Sequence, residues 1–135
     1  MKIQPFNHHL NITVEAFINP SEDIDRVISA IRNLIKDTDS DFLLDNKTVT
    51  TSIKDERSLY YIYERIRAKQ MLAVVRRLLF SRINQDTTWL IFNKQAAFVG
   101  SVNVCEEESE SPLGPIKIII QSDHIHEFIE WLAPK

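Results

Sequence analysis

A change of hydrophobic period near residue 20 constrains this chain more than any other feature. Leu10, Ile12, Val14, Ala16 and Ile18 alternate with Asn11, Thr13, Glu15 and Phe17, and a period of two predicts a strand with one apolar face. Ile24, Val27, Ile28, Ile31, Leu34 and Ile35 then recur at spacings of three and four, which predicts a helix with one buried stripe ending near Lys36. Asn19-Pro20-Ser21-Glu22 separates them. Asn19 suits a helix cap, Pro20 the first helical position and Glu22 the acid of a capping box. A strand and a helix that each carry one apolar face are stable when stacked on one another.

The rest of the chain repeats both periods. Phe42–Leu44 and Thr48–Ile53 are expected to be short strands around Asp45-Asn46-Lys47. Residues 55–67 are expected to be helical, with Leu59, Ile62, Tyr63 and Ile66 on one face. Met71, Val74, Val75, Leu78 and Leu79 form a second stripe out of phase with the first, so a break is expected at 68–70. Residues 87–93 and 97–104 are strand-like and predict a hairpin with Lys94-Gln95-Ala96 at its tip and Gly100 at a bulge or close approach. Residues 116–121 predict a last strand. A helix capped by Ser122 or Asp123 carries Ile125, Phe128, Ile129 and Leu132 and stops at Pro134. The expectation is one α+β domain over residues 1–135, with a mixed or antiparallel sheet and helices packed on one face.

The 135 residues suffice for one core without a metal or disulfide. The single cysteine, Cys105, rules out an intrachain disulfide, and its neighbours Glu106, Glu107 and Glu108 disfavour a reactive thiolate. No apolar run is long enough for a membrane helix, and the first ten residues lack the pattern of a secretory signal. A cytoplasmic protein is expected. With two glycines, Gly100 and Gly114, there is neither a P-loop nor a dinucleotide fingerprint. Asp37, Asp39 and Asp41 imitate the start of a calcium loop. Phe42 and Thr48 stand where that loop needs Gly and Glu. His8-His9 and His124-x-His126 do not have metal-ligand spacing. No cofactor, no metal and no catalytic residue is expected.

Charge is distributed unevenly. The net value is −3, yet residues 54–82 hold eight cations against three acids, between two acidic segments. Arg65, Arg67, Lys69, Arg76 and Arg77 lie amid Tyr60, Tyr61 and Tyr63, a mixture able to neutralise phosphates and stack on unpaired bases. The same pattern also describes a solvated helix face paired with the flanking acids, and Tyr63 fits the core stripe as well.

Four stretches carry a family resemblance: residues 14–23, residues 92–100, Ser111-Pro112-Leu113-Gly114-Pro115-Ile116, and residues 128–134. Together, in the same order, they resemble an archaeal family of uncharacterised proteins grouped with predicted RNA-binding domains. Relatives of that family are similar to the ribosomal protein that holds 5S ribosomal RNA in the large subunit. The resemblance implies that fold, an archaeal intracellular setting and RNA as partner. It singles out Asn93, Gln95, Gly100, Pro112, Leu113, Gly114 and Pro115 as signature positions. The Pro-Leu-Gly-Pro loop, rigid at its prolines and permissive at Gly114, is itself expected to be structural, docking Leu113 in the core while it turns the chain into the last strand.

The expected function is non-enzymatic RNA binding by the basic helical segment 54–82, through Arg65, Arg67, Lys69, Arg76, Arg77 and Lys94. The alternative is a protein–protein adaptor or a homo-oligomer, in which acidic segments meet the basic one across chains.

Overall fold

The computed structural model describes residues 2–37 and 39–135. Strand β1 (Asn11–Phe17) leads to helix α1 (Ile24–Ile35), then to the hairpin of β2 (Leu43–Asp45) and β3 (Thr48–Ile53). A 3-10 turn at Glu56–Leu59 opens α2 (Tyr60–Ala68), followed by α3 (Leu72–Ser81), β4 (Thr87–Phe92), α4 (Lys94–Phe98), β5 (Val104–Cys105), β6 (Ile116–Gln121) and α5 (Ile125–Leu132). The six strands form one sheet in the order β2-β3-β1-β6-β4-β5, and every pairing is antiparallel.

Register follows from the pleat. Ile12, Val14 and Ala16 of β1, Ile116, Ile118 and Ile120 of β6, and Leu90 and Phe92 of β4 share one face and join the helices in a single core. The opposite face carries Thr13, Glu15, Trp89, Lys117 and Ile119, none of them fully buried, together with Ile91 and Cys105, which are buried there outside the helix-side core. The helices therefore lie on one side, and the second side is left open except around Ile91 and Cys105.

Several local expectations are corrected. Asn19–Glu22 forms a turn rather than the first helical turn, and α1 is capped instead by Asp23, whose side chain accepts from the Asp25 N–H at 2.9 Å. The Glu22 carboxylate does accept from the Asn19 N–H as a capping box requires. The hairpin predicted at Lys94-Gln95-Ala96 is replaced by α4, because the Asn93 side chain accepts from the Ala96 N–H at 2.8 Å and nucleates a helical turn. Gly100 is not a strand bulge. It sits at φ +84 just past α4, where its N–H and that of Ser101 return to the Ala97 and Ala96 carbonyls. The last helix starts at Ile125, and the expected Ser122 contact is shifted by a residue: its hydroxyl accepts from the N–H of His124, the residue that precedes the helix, at 3.1 Å.

Candidate functional site

The signature positions, scattered through the sequence, meet at the start of α1 except Gly100, which lies past α4 and whose carbonyl accepts from the Tyr61 hydroxyl. Lys94 is 3% exposed, and its ammonium donates to the Phe17 carbonyl (2.7 Å), the Leu113 carbonyl (2.9 Å) and the Glu22 carboxylate (3.0 Å). An ammonium has three protons, so none remains for an external phosphate. Asn19 completes the knot by donating to Glu22 (2.8 Å) and the Leu113 carbonyl (2.7 Å). The Gln95 amide donates to the Pro112 carbonyl, and the Ser111 hydroxyl to the Gly114 carbonyl. Lys94 and Gln95 thus tie α4 to the 111–114 loop rather than standing at a hairpin tip. Leu113 is exposed at φ +67 and offers its carbonyl to the knot, where the sequence led us to expect a docked side chain. Gly114 follows at φ +89, and Pro115 leads into β6.

Burial raises the Glu22 carboxyl, but hydrogen bonds from Asn19 and Lys94 outweigh it, and the group ends below its ordinary value. Asn93 adds a link by donating to the Glu110 carbonyl at 3.2 Å. Asn93→Ala should cost about 1–2 kcal/mol, the usual worth of a helix cap, measured as a lowered midpoint in urea. An unchanged midpoint would show that α4 is held by other contacts.

The basic segment is largely occupied by the protein itself. Arg67 lies 3.3 Å from the Tyr63 ring centroid and donates to the carbonyls of Tyr63, Trp131 and Leu132. Lys69 spends its protons on Ser101, the Val102 carbonyl and Asn103. Arg76 pairs with Glu130 and donates to the Ala133 carbonyl. Arg77 is exposed and pairs with Glu106 at 2.8 Å. Arg65 makes no ion pair or side-chain hydrogen bond among the described residues. The tyrosines are engaged too: Tyr61 donates to the Gly100 carbonyl, Tyr60 to Glu56, and Tyr63 packs against Trp131.

A different cluster stands on the uncovered face. Trp89 of β4 is half-buried, with the Arg82 guanidinium 3.9 Å and the Lys117 ammonium 4.6 Å from its ring centroid. Arg82 reaches it from the end of α3 and is fixed by donating to the Trp89 and Glu106 carbonyls. Lys117 comes from β6, one strand away, and faces Glu15 of β1 across the ladder. Arg77 continues the ridge through Glu106, which touches both arginines. Trp89 was legible as a residue out of phase with Leu90 and Phe92. The adjoining strand hid it, because Ile118 and Ile119 make both faces of β6 look apolar.

Comparison with known proteins places the chain. A family model described as RNA binding matches residues 11–122. A UPF0201 protein of Sulfurisphaera tokodaii is 35% identical over 129 residues, covering 92% of this chain and 87% of that one. This chain belongs to the UPF0201 family. A second UPF0201 relative, from Thermococcus kodakarensis, is also 35% identical, over 130 residues, covering 92% of this chain and 89% of its own. The crystal structure of the UPF0201 protein of Methanococcus jannaschii superposes with a TM-score of 0.75 at 28% identity, covering 93% of each chain. Another UPF0201 crystal structure gives 0.76 at 26% identity, covering 93% of this chain and 94% of that one. The archaeal, uncharacterised family anticipated from the four sequence stretches is therefore the right one. Among the described residues no group of histidine, cysteine or acids is placed to hold a metal ion, and no helix is long and apolar enough to cross a membrane.

Proposed function

We propose that this UPF0201 protein binds single-stranded RNA on the uncovered face of its sheet, with Trp89 as the stacking centre. One observation carries the reading: an aromatic ring flanked by Arg82 and Lys117 on an open antiparallel sheet. The description of the matching family model supports it. Arg82 and Lys117 sit over the Trp89 ring, so a base takes a π-face by displacing one of them, and the displaced cation then neutralises an adjoining phosphate. Of the cations expected from the sequence, Arg77 adjoins this ridge through Glu106 and belongs to the proposed surface, whereas Arg65 sits on α2, on the helix side of the sheet, and does not. Arg67, Lys69, Arg76 and Lys94 act by holding the fold that presents it.

The test is a fluorescence-anisotropy titration of a labelled single-stranded oligoribonucleotide at low and at physiological salt. Trp89→Ala should weaken binding about tenfold or more, as loss of one stacked base does. Lys117→Ala should reduce the slope of log affinity against log salt by roughly 0.7. No binding at low salt, or an affinity indifferent to Trp89→Ala, would sink the reading.

A further inference from the structure

The open side of the sheet carries a second exposed ring. Alternation along β1 puts Thr13, Glu15 and Phe17 on that side, because Ile12, Val14 and Ala16 point into the core. Phe17 is 45% exposed and lies outside the core cluster. Glu15, its neighbour on the same face, is half-buried and stands opposite Thr50 of β3 on one flank and Lys117 of β6 on the other. Among the described residues its carboxylate makes no hydrogen bond and no ion pair.

The register sets the distances. Trp89 and Thr13 both stand opposite Ile119 of β6, so Trp89 is level with Thr13 and two strands away. Phe17 lies farther along β1. At about 4.8 Å between strands and about 3.4 Å per residue, its Cα is roughly 17 Å from that of Trp89, so the two rings take different bases of one strand. Lys117 is level with Glu15 and holds its ammonium 4.6 Å from the Trp89 ring centroid, which puts a cation between the two rings. Glu15 and Phe17 are next neighbours on one face, about 7 Å apart, so a base lying on the Phe17 ring can bring its edge to the Glu15 carboxylate.

We propose that Phe17 and Glu15 form a guanine subsite for the same RNA strand that Trp89 anchors, an inference that rests on the RNA-binding reading above. A carboxylate only accepts hydrogen bonds. Guanine presents two neighbouring donors on its Watson–Crick edge, N1–H and the N2 amino group, and these engage both carboxylate oxygens at once. Adenine and cytosine present one amino group beside a ring nitrogen that accepts, and uracil one N3–H between two carbonyls. Each of these three sets a lone pair against a carboxylate oxygen. The Phe17 ring holds a base by its face without regard to identity, and Glu15 reads the edge. Lys117, across the ladder, offsets the repulsion between Glu15 and the adjoining phosphates.

Fluorescence anisotropy of the intact protein at low salt tests this, with a labelled oligouridine and the same oligomer carrying one central guanosine. The guanosine oligomer should bind about fivefold tighter or more, the least that a bidentate base contact gives. Inosine in the same place lacks the N2 amino group and should lose most of that preference, a comparison that needs no protein variant. Glu15→Gln replaces one acceptor oxygen by a donor and should bring the ratio of the two affinities close to one. Phe17→Ala should shrink the ratio too, since the base is no longer held against the carboxylate, whereas Trp89→Ala should weaken both oligomers and leave the ratio. Equal affinities for the two oligomers in the wild-type protein overturn the subsite and leave RNA binding standing. A guanosine preference that survives inosine, or survives Glu15→Gln, overturns the subsite as well. Binding to neither oligomer overturns RNA binding itself, and the subsite with it.

Discussion

Lys94→Met will destabilise the protein by about 3–5 kcal/mol, the usual cost of leaving one member of a buried ion pair without its partner. The Lys94 and Glu22 side chains are 4% and 12% exposed, and the same ammonium satisfies the carbonyls of Phe17 and Leu113. Methionine fills much of the space but donates nothing, so a carboxylate and two carbonyls lose a donor at once. The thermal midpoint should fall by roughly 10–20 °C. Adding Glu22→Leu should recover part of the loss, since no isolated charge then remains. A Lys94→Met midpoint close to wild type would mean that water replaces the ammonium.

The same pair predicts acid sensitivity. The Glu22 carboxyl is lowered in the folded protein from an ordinary value of 4.5. A lowered group stabilises the fold above its unfolded-state value, and that contribution is lost as pH falls through the folded value. Stability should therefore decline below about pH 4.5, and the decline should be shallower in Glu22→Gln. Equal slopes for both proteins would assign acid unfolding to other carboxyls.

Arg67→Ala will cost about 2–3 kcal/mol, whereas Arg65→Ala, two residues away on the same helix, will change stability by no more than about 0.5 kcal/mol. Arg67 stacks on Tyr63 and donates to the Leu132 carbonyl at the end of α5, so one guanidinium pins α2 to the last helix. Burial pulls it below its usual value, although hydrogen bonding to Tyr63 acts the other way, and a guanidinium in a protein stays charged. Urea titrations of both variants measure the difference. Equal effects, or an Arg67→Ala variant that loses RNA affinity with its stability intact, would return Arg67 to the binding surface.

These two cases show why a run of cations reads ambiguously. Arg65 and Arg67 are indistinguishable by charge and spacing. What separates them is whether an acceptor arrives from a distant segment: Trp131 and Leu132 lie more than sixty positions away from Arg67. Lys94 looked like a solvent-facing hairpin tip for a related reason. The helix that buries it depends on Asn93 capping Ala96 and on a loop seventeen residues downstream. Trp89 went unremarked because the uncovered face of a sheet exists only once strands and helices have docked.

Periodicity by itself determined the larger part of the fold. The alternation in β1, the stripes of α1, α2, α3 and α5, and the break before α3 all follow from local spacing, since each element must bury its own apolar face. The four stretches of resemblance likewise sufficed to place the family. Only the tertiary structure decided which charges are free. Burial and long-range hydrogen bonds assign each ammonium and guanidinium its partner, and those distances depend on the strand order β2-β3-β1-β6-β4-β5, which no local pattern encodes.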